Sequence, residues 1–196
     1  MTADPLSIID HFYKDEEELR PLLLKHSMQV RDKALQILDS CGLDLDREKI
    51  IAGALLHDIG ILRCHAPGIL CNGEQPYITH GVTGAEMLRQ YGTEKGLDLE
   101  DFARICERHT GSGLTAADIC EQELPLPEQD FLPETPEEIL ICLADKFFSK
   151  SGDMEEKTFE SARRSMAKFG SASLERFDHM CRLFQVDETL PFLQEN

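Results

Sequence analysis

Basic residues are scarce in this sequence. Only 20 Lys and Arg oppose 37 Asp and Glu, which gives a formal net charge of −17 at pH 7. Such an acidic surface repels nucleic-acid backbones, so a DNA or RNA partner bound through a basic groove is not expected. It also repels anionic small molecules at long range. A phosphate-containing ligand would therefore need local positive charge, for which bound metal ions are the obvious source.

Long apolar runs and paired cysteines are also missing. The longest uninterrupted apolar runs span only a few residues, so no transmembrane helix is expected and no membrane partner is predicted. The N-terminal stretch MTADPLSIIDHFYKDEEE has an Asp at position 4 and no basic segment, unlike a secretory signal. The seven cysteines are odd in number and form no CxxC motif, which indicates reduced thiols in the cytoplasm. Cys64 and Cys71, which flank a predicted loop, leave a metal or redox pair as an alternative.

No stretch alternates convincingly at a period of two, whereas apolar residues recur at helical spacing along most of the chain. Asp46 is a possible N-cap, Gly60 a possible left-handed C-cap, and Thr135 with Glu138 forms a possible capping box. The predicted helices span about 21–42, 46–60, 79–92, 98–111, 135–150, 158–170 and 174–185.

The rest of the chain fits a single helical domain. Two stretches rich in Pro, residues 63–78 and 120–136, are predicted as loops that wall a substrate pocket. The sequence of 196 residues has no internal repeat, low-complexity tract or clear linker. We therefore predict an all-α fold, a single compact bundle over residues 1–196.

Six titratable residues interrupt the apolar faces of the predicted helices. In AGALLHDIGIL, residues 52–62, a His and an Asp stand side by side among small and apolar neighbours. A buried imidazole or carboxylate costs several kcal/mol unless something pairs with it. A single His of this kind is more often a hydrogen-bonded core residue than a ligand, but six such residues on five helices favour a shared metal site. The six residues are His26, His57, Asp58, His80, His109 and Asp145.

The end of a helix is a favourable place for such an ion. His57 and Asp58 lie near a predicted helix C-terminus, where the helix dipole favours a cation by roughly 0.3–1 kcal/mol. Adjacent helical residues point about 100° apart, so the two can share an ion only if it lies close against the helix end. Gly60 would let another backbone segment or a ligand approach there.

The order of these residues resembles the HD-domain superfamily of metal-dependent phosphohydrolases. The resemblance rests on His26, on His57-Asp58 within HDIG and on Asp145 within LADK, and it covers roughly residues 20–150. Between them, HGVTGAEML and ICERHTG resemble the two extra histidines of members with a binuclear site. The similarity extends to small bacterial HDIG-type hydrolases, including HD-type diadenosine tetraphosphate hydrolases. It implies one HD-type domain, with helices at about 155–186 packed on the metal-binding core.

The resemblance also implies roles for these residues. His26, His57, Asp58 and Asp145 would hold one ion, and Asp58 would bridge to a second ion held by His80 and His109. Asp58 and His57 would be the catalytic residues. This donor set suits one or two divalent ions of Fe, Mn, Ni, Co or Zn, with a binuclear site favoured. Two such ions would lower the pKa of a bridging water, orient the phosphate and stabilise the leaving oxygen.

The implied reaction is hydrolysis of a phosphate ester or anhydride in a nucleotide-like small molecule. Cyclic-dinucleotide phosphodiesterases of the superfamily carry a Lys soon after the HD pair and a Gly-Tyr-Pro motif. Here Ile61 follows HDIG and no such motif occurs, so cyclic-di-GMP is not the expected substrate. Arg63, His65 and Lys146 are candidates to contact the phosphate, whereas His11 and His179 are interpreted as structural.

Two other functions remain open at this point. Some HD proteins use a di-iron centre with the same ligand types to activate O2, and a non-catalytic nucleotide sensor could keep metals to shape its pocket. No Walker loop, GxSxG motif or dinucleotide fingerprint is present to indicate another enzyme class. The exact substrate, the metal and the oligomeric state are not predicted.

Overall fold

The computed structural model describes residues 4–193, and this part of the chain is mostly helical. The described residues form nine α-helices: α1 (Pro5–Tyr13), α2 (Leu19–Cys41), α3 (Arg47–Leu56), α4 (His80–Lys95), α5 (Glu100–Arg108), α6 (Ala116–Glu121), α7 (Pro136–Asp145), α8 (Phe159–Ala167) and α9 (Ser171–Leu183). Pro21 lies in the first turn of the long helix α2, where its missing N–H is tolerated.

Capping residues set several of these boundaries. The Asp46 side chain accepts a hydrogen bond from the Lys49 amide at the start of α3. Thr135 and Glu138 form the predicted capping box at the start of α7. Gly42 ends α2 in the left-handed conformation, with φ of 68°. These caps supply partners for backbone groups that the helices themselves leave free.

The expected helix from Asp46 to Gly60 is shorter than predicted. It ends at Leu56, with His57 as its C-cap, and a 3-10 turn follows at Ile59–Arg63. Gly60 lies inside this turn and is not a left-handed cap. Helix α7 likewise ends at Asp145 and not near residue 150. Both helices therefore stop close to a candidate ligand.

The prediction of an all-α fold was wrong in one region, because residues 64–76 form a small sheet. Its central strand β1 (Cys64–Ala66) pairs antiparallel with β2 (Cys71–Asn72) and parallel with β3 (Gln75–Pro76). Strands of two or three residues are too short to show an alternating pattern, so periodicity could not reveal them. The fold is mostly helical with this sheet, and 63–78 is not an irregular loop.

Two apolar clusters make up the core, and the candidate ligands lie where they meet. One cluster includes Val30 of α2 together with residues of α7, α8 and α9, and the other includes Leu23 of α2 together with residues of α1, α4 and α5. His26 lies on α2 between Leu23 and Val30. Residues of α7, α8 and α9 share one cluster with α2, and the single domain over residues 1–196 stays a prediction.

No helix in the described range combines the length and the apolar character that crossing a bilayer requires.

Gly60 lets α4 approach the segment that carries Asp58. A Cβ at this position would overlap the His80 carbonyl oxygen and the Gly84 amide nitrogen, which are both backbone atoms. Gly60 therefore permits a close backbone approach, as the sequence indicated, and this approach brings His80 towards Asp58.

We expect Gly60→Ala to lower the free energy of unfolding by about 3 kcal/mol, because the clashing backbone atoms cannot move without shifting α4. Gly68→Ala is the matched control, since nothing lies within 4 Å of a Cβ there. The control should change stability by less than about 1 kcal/mol. Denaturant titrations of the two variants check this, and equal midpoints would contradict the close packing at Gly60.

Candidate metal centre

Five helices bring the six predicted ligands together, and most of these residues stand at helix ends. His57 and His109 are the C-caps of α3 and α5, Asp145 is the last residue of α7, and His80 is the first residue of α4. His26 lies within α2. Three helix C-termini thus point at one place, and each favours a cation there.

The six side chains form two groups that share Asp58. In each group the potential ligand atoms all lie within 4.8 Å of one another. The first group is His26, His57, Asp58 and Asp145, and the second is Asp58, His80 and His109.

The two carboxylate oxygens of Asp58 face different groups. Its Oδ2 lies 3.0 Å from His26 Nε2 and 3.1 Å from His57 Nε2. Its Oδ1 lies 3.4 Å from His80 Nε2 and 3.3 Å from His109 Nε2. This is the arrangement that a bridging carboxylate requires.

Asp145, at the end of α7, completes the first group. Its Oδ1 lies 3.0 Å from His26 Nε2 and 3.6 Å from His57 Nε2. The side chain of Asp145 is 13% exposed and that of Asp58 is fully buried, so the Asp145 side of the centre is the more open one.

Three imidazoles are oriented by the backbone three residues before them. The Nδ1 atoms of His57, His80 and His109 lie 2.7 Å from the carbonyl oxygens of Ala54, Tyr77 and Cys106, respectively. A carbonyl oxygen only accepts, so each Nδ1 carries a proton, and each Nε2, when it is unprotonated, presents a lone pair to the centre. The Nε2 atoms of His80 and His109 are 3.0 Å apart, and two such lone pairs repel each other unless a cation lies between them.

The centre also contains buried polar atoms that lack a hydrogen-bond partner. They are His26 Nδ1 and Nε2, His57 Nε2, and the Oδ1 oxygen of Asp58. Leaving such groups unsatisfied in the interior costs several kcal/mol. The contacts of 3.0–3.6 Å among the ligand atoms match the roughly 3 Å edges of a coordination shell with bonds of about 2.1 Å. Nitrogen and oxygen donors in this arrangement fit a divalent transition-metal ion.

Contacts among the buried groups shift the pKa values of the candidate ligands. Burial opposes ionisation of Asp58, but His57 and Lys150 outweigh it and hold the pKa of that carboxyl well below its usual value. Burial also disfavours a charged His57, yet Asp58 and Asp145 raise its pKa to about 9. Burial and His109 lower the pKa of His80 to about 3, so His80 is neutral and able to bind a metal at pH 7. In the absence of a metal, the first group therefore attracts a proton, whose charge an ion would replace.

Lys146 is a buried residue that contacts two parts of the centre. Its Nζ donates to the His109 carbonyl oxygen at 2.9 Å and to Asp145 Oδ2 at 2.7 Å, and its side chain is 6% exposed. The ammonium therefore connects the end of α7 to the end of α5. Its predicted contact with substrate phosphate stays a prediction.

We expect Lys146→Met to weaken metal binding by about 10- to 100-fold, because Asp145 and the His109 backbone lose their shared partner. Lys168→Met, which removes a charge from an exposed position, should leave affinity unchanged. Metal titrations followed by calorimetry measure both. A Lys146→Met protein with wild-type affinity would show that this anchor is dispensable.

The other two phosphate candidates lie outside the ligand cluster. Arg63 and His65 are exposed, and within residues 4–193 neither side chain makes a hydrogen bond or ion pair with the six residues. Their roles in substrate binding stay predictions. His11 packs against Phe12 and Tyr91, away from the centre.

A cavity of about 420 Å³ lies elsewhere in the fold, and none of the six ligands lines it. The predicted loop 120–136 contributes two of its wall residues, and His179 contributes a third. Its lining consists of Ser112, Leu132, Pro133, Ile139, Ala172, Glu175, Arg176, His179 and Met180. The predicted role of this loop as a wall of the substrate pocket stays a prediction.

Sequence reasoning missed two residues that contact the HDIG segment. Lys150 Nζ lies 2.5 Å from Asp58 Oδ2, and Tyr13 donates from its hydroxyl to the Ile59 carbonyl oxygen at 2.7 Å. The sequence predicts Lys150 at the end of a continuous helix, and nothing in it indicates that the chain turns back there. Tyr13 follows an apolar run in α1, and its buried hydroxyl needed a partner that the pattern could not identify.

Comparison with known proteins identifies the family of this chain. The HD domain family model matches residues 23–149, a range that includes all six ligand candidates. The chain belongs to the HD domain family.

Similar sequences occur in archaeal proteins. The chain is 35% identical over 133 residues to a tRNA (cytidine(56)-2'-O)-methyltransferase of Picrophilus torridus. The aligned region covers 68% of this chain and 33% of that protein. It is 36% identical over 126 residues to an uncharacterized protein of Methanocaldococcus jannaschii, covering 63% and 64% of the two chains. A tRNA (cytidine(56)-2'-O)-methyltransferase of Thermoplasma volcanium is 33% identical over 127 residues, with 65% and 32% covered. The chain thus spans about a third of each methyltransferase, and no solved structure matches it significantly.

Proposed function

We propose that this protein is a metal-dependent phosphohydrolase that cleaves a phosphate ester or anhydride in a nucleotide-like small molecule. Membership of the HD domain family supports a hydrolase of this superfamily. The observation that carries the proposal is Asp58, a fully buried carboxylate whose two oxygens face two separate groups of imidazoles. Burying a carboxylate in the interior is strongly destabilising unless cations compensate its charge.

Each of the six residues would have a role in holding the metal ions or in catalysis. Divalent ions held here would lower the pKa of a water molecule, orient the phosphate and stabilise the leaving oxygen. His26, His57, Asp58 and Asp145 would hold one ion, and Asp58, His80 and His109 a second. The carbonyl partners of three Nδ1 atoms and the Lys146 anchor keep these donors in place before substrate arrives. We propose Asp58 and His57 as the catalytic residues.

Charge favours a small substrate over a nucleic acid. Two of the relatives are named for action on tRNA, but the chain spans about a third of each. Its net charge of −17 disfavours binding of a polyanion along its surface. We therefore propose a phosphate-containing small molecule as the partner. A cytoplasmic location is proposed from the seven cysteines, all of which are free thiols.

The same nitrogen and oxygen donors would also suit a di-iron oxygenase or a nucleotide sensor. One experiment separates the three. The protein is purified without chelator, its bound metal is measured, and phosphate release is followed on a panel of phosphate compounds with Mn, Fe, Ni or Co added. We expect metal-dependent phosphate release without oxygen consumption. Oxygen-dependent turnover would favour the oxygenase, and tight nucleotide binding without turnover would favour the sensor.

A further inference from the structure

One buried cation touches the centre from outside the family match. Lys150 lies one residue beyond the matched range, in the irregular segment between α7 and α8. Its Nζ lies 2.5 Å from Asp58 Oδ2, and its side chain is 10% exposed. The Tyr77 hydroxyl lies beside it, and the Tyr77 ring stacks on His80 with 4.7 Å between centroids. Lys150 is therefore directed into the site and not into solvent.

The oxygen that Lys150 contacts is one that a metal ion would need. Asp58 Oδ2 also faces the Nε2 atoms of His26 and His57, so an ion held by those imidazoles would bind this same oxygen. An ammonium and a divalent cation cannot both remain at one carboxylate oxygen without strong repulsion. Metal binding would therefore release Lys150 from Asp58.

Lys150 differs in this respect from the other ammonium group at the centre. Lys146 keeps the His109 carbonyl and Asp145 Oδ2 as partners, and Oδ2 is the oxygen that faces away from the imidazoles. Lys150 has a flexible four-carbon stem on a segment without regular structure, so its ammonium can move a few ångströms while staying in the site. A released ammonium in this place needs an anion, and two divalent ions with two carboxylates leave the centre positively charged.

We propose that Lys150 is a phosphate-binding residue: in the metal-loaded protein its ammonium leaves Asp58 and pairs with a phosphoryl oxygen of the substrate. This inference rests on the hydrolase function proposed above and assigns one recognition contact within it. It also explains how an acidic protein retains a cation for an anionic substrate, because Asp58 holds Lys150 in the site until metal and substrate arrive.

The test compares Lys150→Met and Lys150→Arg with the wild type, all loaded with Mn²⁺. Three quantities are measured: metal bound per chain, affinity for inorganic phosphate by calorimetry, and kcat and KM on the best substrate of the panel. Lys25→Met is the control, because it removes the same charge from an exposed position on α2.

We expect Lys150→Met to keep at least wild-type metal content while phosphate affinity and kcat/KM fall about 10- to 100-fold. Lys150→Arg should recover most of this loss, and Lys25→Met should match the wild type. A Lys150→Met protein with unchanged phosphate affinity and kinetics overturns the inference alone. So does one that loses its metal, because Lys150 would then support the ligands. If the loaded wild type neither binds phosphate nor hydrolyses any compound, the hydrolase proposal itself fails.

Discussion

Asp58→Asn is expected to lose bound metal and hydrolytic activity together. The substitution keeps the size of the side chain but removes the charge that faces both groups of imidazoles, at 3.0 and 3.1 Å from one oxygen and 3.3 and 3.4 Å from the other. Loss of the ions removes several kcal/mol of transition-state stabilisation. We expect kcat/KM to fall by about 10³-fold or more, with metal content falling in parallel.

The control for this variant is Asp44→Asn, which makes the same chemical change at an exposed position. It should retain full metal content and activity. Elemental analysis and kinetics on the same preparations report both properties, and circular dichroism should show that both variants remain helical. Full activity in Asp58→Asn would exclude Asp58 from the mechanism.

Removal of metal is expected to lower thermal stability substantially. The centre contains a buried carboxylate oxygen, Asp58 Oδ1, and imidazole nitrogens without hydrogen-bond partners, which a bound ion would satisfy. An ion present at about 1,000 times its dissociation constant stabilises the folded state by about 4 kcal/mol. For a domain of this size we expect chelation to lower Tm by about 8–16 °C.

Differential scanning calorimetry with and without chelator measures this shift. Asp58→Asn serves as the internal control, because a protein without the bridging ligand has little bound metal to lose. Its Tm should respond only weakly to chelator. An equal Tm for the wild type with and without metal would mean that the buried atoms are not metal ligands.

Much of the helical framework could be predicted because its signals are local. The Asp46 cap and the Thr135–Glu138 capping box act on amides within the same turn, so the sequence alone contains them. The six site residues could be predicted for a related reason, since each interrupts an apolar helical face. The structure places all six together, and their roles as ligands stay predictions.

Other features depend on contacts between distant segments and left no local pattern. The strands of residues 64–76 pair over two or three residues, and the short helix α6 was not predicted. Gly60 lies in a 3-10 turn and the start of α4 packs against it, which its neighbours in sequence do not reveal. Lys150 reaches Asp58 only because α7 ends at Asp145 and the chain turns back. Loss of periodicity after Asp145 was too brief to mark that turn.

Anomalous diffraction from crystals of the Mn²⁺-loaded protein tests the proposed centre most directly. The account predicts two peaks joined by Asp58. One should be coordinated by His26, His57, Asp58 and Asp145, and the other by Asp58, His80 and His109. Crystals that show no anomalous peak within contact of Asp58, at a metal concentration that supports full activity, would contradict it.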